Sequence, residues 1–234
     1  MTEPVVASRE AWLAARLELL EEEKALTRAR DAVTAKRQAL PWVPVETDYR
    51  FEGPEGPVGL ADLFGPHSQL VLQHFMYGPE WQAGCVSCSF WVDNFDGTAE
   101  HLAARDIGYV LVARAPIERL EAYRTRMGWS LPFVSSLGTS FNQDFNVSFA
   151  DDHTPEKTVT YNYRETNFPA SEAPGISIFA KDDAGRIYHT YSTYSRGLDI
   201  LNSVYHLIDL TPKGRDEAAG NMHWLRHRDS YEAD

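Results

Sequence analysis

Cysteine is nearly absent from this chain: 234 residues hold two. That scarcity excludes a small disulfide-stapled secreted fold and suits a reducing compartment. Basic residues are short as well, 22 against 34 acidic side chains, for a formal net charge of −12. No basic stripe is left to neutralise phosphates, which argues against nucleic acid or an anionic membrane as partner. No apolar run approaches the eighteen or so residues of a membrane span. Residues 1–6 lack the basic and apolar segments of a secretion signal, so a cytoplasmic location is expected. Internal repeats and low-complexity linkers are missing too. What is present, 43% hydrophobic residues, is ample for the core of one large domain or of a domain with an appendage.

The two cysteines share one motif, Cys85-Val86-Ser87-Cys88. Two cysteines placed at random would fall three apart roughly one time in a hundred, so the spacing asks for an explanation. Residues 69–76 read as a short buried strand, and Tyr77-Gly78-Pro79 breaks it. Residues 89–95 then run on as a helix. A cysteine at such a helix start meets unpaired backbone N–H groups and the positive end of the helix dipole, which favour thiolate over thiol. The thiolate attacks disulfides, so the motif points to redox chemistry. Two other readings stay open. Cys-x-x-Cys is also half of a zinc knuckle, with His223 and His227, four apart, as the histidines to complete it if their segment is helical. The cysteines could equally be inert. A structural disulfide is disfavoured, because the loop it would close is tiny.

Ser8 is suited to cap a helix that runs to about Ala39 and stops before Pro41. Trp12, Leu19, Leu26, Val33 and Leu40 recur every seven residues along it, widened early by Leu13, Leu17 and Leu20. Ala15, Glu22, Ala29 and Lys36 stand where a second seam would lie, so a full zipper is not specified. The apolar file is expected to dock on its own domain or on a neighbouring subunit. From Trp42 the texture changes. Residues 43–51 are strand-like, 60–64 fit one helical turn, 69–76 a strand, 88–105 a helix, 108–113 a second buried strand, and 116–128 a helix. This is the alternation of a parallel βαβ unit. Residues 130–174, rich in Ser, Asn and aromatics, have no clean period and read as an insertion of irregular and short strand segments. Two short runs, 175–180 and 186–191, flank an Asp-Asp-Ala-Gly turn as a β-hairpin. A last amphipathic helix follows to Ile208, and Met222-His223-Trp224-Leu225 is suited to latch onto the core.

Strand, Cys-x-x-Cys, helix, strand, helix, hairpin and closing helix is the order of a thioredoxin fold. The segment Trp81-Gln82-Ala83-Gly84-Cys85-Val86-Ser87-Cys88-Ser89-Phe90-Trp91 resembles a bacterial thioredoxin-like family of unknown function near the peroxiredoxin and AhpC-like branch. So do Tyr188-His189-Thr190-Tyr191-Ser192-Thr193-Tyr194-Ser195-Arg196-Gly197, Asp209-Leu210-Thr211-Pro212-Lys213-Gly214-Arg215 and the long N-terminal helix. The resemblance implies a three-layer α/β/α domain with a central mixed sheet over 41–234, an N-terminal helical extension over 1–40, and an insertion of about 130–174 before the hairpin. It implies Cys85 as the attacking thiolate and Cys88 as the resolving one. It places Pro174 where such folds carry a cis-proline that faces the disulfide and helps to hold an extended substrate. Three features depart from ordinary thioredoxin: no Trp directly precedes Cys85, no Gly-Pro separates the cysteines, and the insertion is large. The Thr-x-x-Cys pattern of a typical peroxiredoxin is missing also.

The expectation is a thiol–disulfide oxidoreductase acting on a small-molecule or protein disulfide, or on a peroxide, and reduced by a thiol or reductase donor. No cofactor or metal is implied. Trp81 is the candidate for a docking surface beside the thiols. His189 could tune a thiolate from the hairpin, His74 could serve Cys88 as a base, and the aromatic insertion could roof the dithiol. The alternatives are a non-catalytic metal- or ligand-binding module on the same scaffold, and an interaction protein that dimerises through its N-terminal helix.

Overall fold

The computed structural model describes residues 5–231; residues 1–4, part of the segment read for a secretion signal, lie outside it. The chain separates into two compact units, one ending at Pro41 and one beginning at Trp42. The first is a single helix, α1 (Arg9–Gln38), whose N-cap Ser8 accepts a hydrogen bond from the Ala11 N–H at 3.2 Å. Lys36 and Arg37 sit in its last turn, where cations complement the helix dipole. No helix among the described residues is long and apolar enough to cross a membrane.

The second unit holds β1 (Val43–Pro44), β2 (Arg50–Gly53), β3 (Gly56–Gly59), β4 (Gln69–His74), α2 (Val86–Phe95), α3 (Ala99–Ala103), β5 (Ile107–Ala113), α4 (Ile117–Met127), β6 (Phe133–Ser135), α5 (Phe141–Asp144), β7 (Thr158–Tyr161), β8 (Arg164–Asn167), β9 (Gly175–Lys181), β10 (Ile187–Tyr194) and α6 (Ser203–Asp209). Eight strands form one sheet in the order β1-β10-β9-β4-β5-β6-β2-β3, and β7 and β8 pair apart from it. β4 runs parallel to β5 and antiparallel to β9, with Leu72 facing Val110 on one side and Ser177 on the other. The run β10-β9-β4-β5 is the thioredoxin arrangement, and the sheet is mixed, as the resemblance implies.

Strand alternation divides the core into two layers. Val71, Tyr109, Leu111, Ala113, Ile176 and Ile178 face a layer built by α2 and α4 with Phe75, Trp129 and Phe133. Leu70, Leu72, Val110, Val112 and Phe179 face the opposite layer, filled by Tyr49, Phe51, Phe64 and Phe141.

Two sequence expectations are corrected here, and one is met. The helix read over 88–105 breaks after Phe95 into a 3₁₀ turn and α3, because Asp96 turns its carboxylate to the N–H groups of Ser130 (2.6 Å) and Leu131 (3.1 Å). The insertion holds short strands among irregular chain, as expected: β6 joins the sheet parallel to β5 and β7 pairs with β8. The closing helix starts as a 3₁₀ turn at Ser195–Leu201, and α6 begins only where Asn202 caps the Tyr205 N–H at 3.0 Å.

Beyond β6, the insertion is tied to the sheet by a buried ion pair. Arg114, just past β5, meets Glu172 at 3.2 Å. Glu172 also accepts from the Ser148 hydroxyl, and its carboxyl is pushed up to about 7, chiefly by burial. A folded-state pKa above the unfolded one favours the protonated, folded form. This contribution is full below about 4.5 and disappears as pH rises towards 7. We expect wild-type stability in urea to fall between pH 5 and 7.5 by up to ~3 kcal/mol through this group, and Glu172→Gln to flatten that slope. An unchanged slope in the variant would remove Glu172 as its source.

Candidate redox site

β4 delivers the chain to the carboxyl end of the parallel pair, the end where open α/β sheets place their sites. The loop over 77–84 is then fastened from several sides. The Phe75 N–H donates to Val112 O at 2.8 Å, and the Ala115 N–H donates to Tyr77 O at 2.8 Å. Arg119 on α4 donates to the carbonyls of Pro79 (2.6 Å) and Trp81 (2.9 Å). Finally the Cys85 N–H donates back to Met76 O at 2.9 Å, returning the chain to the strand end. Gly84 is required at this closure: a Cβ there would stand 2.6 Å from Phe75 Cε1 and 2.9 Å from Tyr123 Cε1.

Cys85 is the N-cap of α2 and is partly buried; Cys88, in the first turn, is fully buried. Both are free thiols. The Cys85 pKa is brought down to about 7. A hydrogen bond from the Cys88 thiol is the largest cause, with burial opposing it and the N–H groups of Ser87 and Cys88 helping. No side-chain bond of ordinary length closes the cap, so these N–H groups act on the sulfur at longer range. Cys88 moves the other way: burial pushes its thiol well above the ordinary value, and the neighbouring Cys85 sulfur adds to the rise. The Met76 N–H, 3.5 Å from Cys88 Sγ, opposes that rise.

Three side chains missed by the sequence reading frame the motif. The Ser89 hydroxyl donates to Cys85 O at 2.8 Å and meets the Tyr123 hydroxyl at 2.8 Å. Burial holds the Tyr123 pKa up at about 12, so its proton stays on. Neither Arg119, the loop clamp, nor Tyr123 carried a sequence signal of its own.

Of the residues singled out from sequence, Trp81 is partly buried and packs against the same core layer as Cys85. Its indole Nε1 would lie 2.9 Å from a Cβ at Gly78, which explains the glycine there. Pro174 directly precedes β9, and its carbonyl accepts from the Tyr161 hydroxyl at 2.8 Å. The expected cis bond is corrected: among the described residues every peptide bond is trans. The Ala173 N–H is held by Val147 O at 2.8 Å and the Pro174 carbonyl by Tyr161, which suits the trans form that X-Pro bonds ordinarily prefer.

His74 and His189 are corrected as partners of the thiols. His74 is buried on the layer opposite α2, stacked near Phe141 and Phe145, with Nε2 2.8 Å from Ser177 Oγ. Burial drives its pKa down to about 3. It is Gln73, one residue earlier, that faces the α2 side, where it accepts from Tyr109 at 2.7 Å. His189 joins the opposite layer as well, beside Phe145 and Phe179 and 2.7 Å from Ser192 Oγ. The aromatic insertion is divided: Phe133 shares the core layer of Cys88, and Tyr161 lies near enough for the Cys88 charge to help hold its proton. Phe141 and Phe145 pack on that far layer, and Val147, Phe149, Tyr161 and Phe168 form their own cluster with Tyr194.

The tail does latch onto the core: Leu225 is buried, Met222 packs against the α2 layer, and Trp224 meets Phe90 edge-on. Residues 221–227 are not helical, so His223 and His227 do not share a helix face. His227 instead donates from Nε2 to Gly84 O at 3.0 Å, while His223 bonds Gly220 O. Among the described residues no three His, Cys, Asp or Glu side chains are grouped to hold a metal. A cavity of about 640 Å³, lined by Glu46, Tyr49, Arg50, Asp62 and Arg186 among others, contains neither cysteine.

A family model described as "Bacterial protein of unknown function (DUF899)" matches residues 1–231. No curated protein matches the chain. Among solved structures, the peroxidoxin BcpB from Mycobacterium tuberculosis is 13% identical, with a TM-score of 0.44 over 72% of this chain and 96% of its own. A mutant form of peroxiredoxin Q from Xanthomonas campestris is 10% identical, with a TM-score of 0.48 over 72% and 98%. The fold assignment rests on strand order and register, not on these likenesses.

The geometry makes one expectation for the thiols. Iodoacetamide labelling of Cys85 should follow a titration centred near pH 7, while Cys88 stays unlabelled in the folded protein. Gly84→Ala should move that midpoint up towards the free-thiol value of about 8.5, because its Cβ displaces the residue that sets Cys85 on the helix. An ordinary midpoint in the wild type would contradict the site as described.

Proposed function

The chain belongs to this bacterial family of unknown function, and within it we propose that the protein is a thiol–disulfide oxidoreductase. The observation that carries the reading is the asymmetric dithiol: Cys85 partly exposed on a helix cap with its pKa lowered to about 7, and Cys88 fully buried one turn on. At neutral pH about half of Cys85 is then thiolate, near the optimum for attack on a disulfide.

In the proposed cycle the Cys85 thiolate attacks one sulfur of a substrate disulfide. A mixed disulfide forms and the other sulfur leaves as a thiolate. With Cys85 capped, the neighbouring charge that holds the Cys88 proton is gone and the Met76 N–H still faces its sulfur. Cys88 gives its proton to solvent or to the departing thiolate, attacks Cys85 Sγ, and releases the second substrate thiolate. Two electrons have passed to the substrate, and the Cys85–Cys88 disulfide must be reduced by an external thiol or reductase. A hydroperoxide would enter at the same sulfur: attack on the O–O bond gives a Cys85 sulfenic acid and an alcohol or water, and Cys88 then closes the disulfide with loss of water. Pro79-Glu80-Trp81 offers no hydroxyl ahead of Cys85 to polarise a peroxide, which favours the disulfide. Trp81, at the loop before the motif, and Pro174, at the start of β9, are the proposed substrate contacts.

Equilibration with glutathione or dithiothreitol buffers, read by counting free thiols, tests the reading. A reversible two-electron transition between about −120 and −270 mV is expected. Cys85→Ser should abolish reduction of a model disulfide, and Cys88→Ser should trap a mixed disulfide on Cys85. Failure of the pair to form a disulfide in any buffer would overturn the proposal.

A further inference from the structure

α1 presents an exposed apolar file. No described residue of this helix is buried. Trp12, Leu19, Leu26 and Val33, with Leu40 just beyond the end, are each between 44% and 53% exposed. A helix of this composition in water leaves that surface hydrated at a cost that burial would remove.

Its charges say what fits. Residues 9–23 carry five acidic and two basic side chains, and residues 24–38 carry five basic and one acidic. This layout complements the helix's own dipole, and it also makes the helix self-complementary when reversed. A parallel partner would set like halves side by side. An antiparallel copy sets the acidic half of each against the basic half of the other. With Leu26 opposite Leu26, Leu19 faces Val33 and Trp12 faces Leu40. Glu22 and Glu23, which flank the file, then lie beside Arg30 of the partner copy. Arg16, which would approach the like-charged end of a second copy, is already paired with Glu23 in its own helix at 2.7 Å. Ala25, Ala29, Ala32 and Ala39 beside the file let two backbones approach closely, which compensates for the missing second seam.

We propose that α1 is an antiparallel dimerisation helix whose occupant is α1 of a second copy of this chain. The exposed part of these five side chains on both copies comes to on the order of 900 Å², and the stems of the flanking Arg, Lys and Glu residues bring the covered area up to the lower end of stable interfaces, about 1,200 Å². The proposal is independent of the redox reading.

Light scattering on the size-fractionated full chain should give about twice the 26.4 kDa chain mass, and Leu26→Glu should return it to the single-chain mass. Orientation is read by cross-linking in a Cys85→Ser/Cys88→Ser background. Single variants Leu19→Cys and Val33→Cys, mixed and oxidised, should cross-link to each other, and neither should cross-link efficiently to itself. A monomer at micromolar concentration overturns the proposal. So does a dimer in which Leu19→Cys pairs with itself, or one that survives Leu26→Glu without the mixed cross-link.

Discussion

The hydrogen bond from the Cys85 N–H to the Met76 carbonyl is the constraint on which the rest of the site depends. It brings the chain back to the end of β4 after a loop that would otherwise wander, and fixes the first turn of α2 against the sheet. From that closure follow the buried position of Cys88 beside the Met76 N–H and the tight seat of Gly84 between Phe75 and Tyr123. The other fasteners act on the same loop from different elements. Arg119 comes from α4, the Ala115 N–H from the end of β5 and His227 from the tail. A loop carbonyl left unbonded at this depth would be costly. Each fastener satisfies such a group and also fixes where the sulfurs stand.

Burial divides the two sulfurs more than sequence separation does. Cys85 and Cys88 sit one helical turn apart and each shifts the other's ionisation, so their titrations belong to the pair. The partly exposed sulfur ionises first because the cap N–H groups and the Cys88 S–H stabilise its charge. The enclosed sulfur has no solvent, and that same charge opposes its own ionisation. The order of attack in the proposed cycle therefore follows from environment rather than from any dedicated base. His74 and His189 could not supply one, since both lie on the far layer of the sheet.

That last point marks where the sequence was legible and where it was not. A buried strand, a breaker, Cys-x-x-Cys and a following helix can be read from local pattern, because each depends on near neighbours in the chain. So can β5, α4 and the β9–β10 hairpin, and with them the order of a thioredoxin fold. The face on which a strand residue lands is a different matter. Gln73 and His74 differ by one position, and the histidine drew attention by its chemistry; the pleat gave the α2 side to the glutamine. Arg119 and His227 reach the loop from sequence distances that no local pattern encodes. β6 was legible only as one of several short strands without bounds: three buried residues are too few to carry a period, and only pairing with β5 fixes its place.

α1 poses the converse problem, since its helix was plain in the sequence and its apolar file is still exposed. A 30-residue helix can persist on propensity, capping and intrahelical pairs such as Lys24 with Glu21 and Arg16 with Glu23, but none of these accounts for five large apolar residues recurring at every seventh position. Solvation alone would be served better by polar residues there. The acidic-then-basic order of the charges narrows the explanation further, because a random solvated face needs no such order and a single helix gains only tenths of a kcal/mol per residue from its dipole. A second copy lying antiparallel accounts for the file and the charge order together, which is why the inference rests on their coincidence along one helix rather than on the hydrophobic repeat by itself.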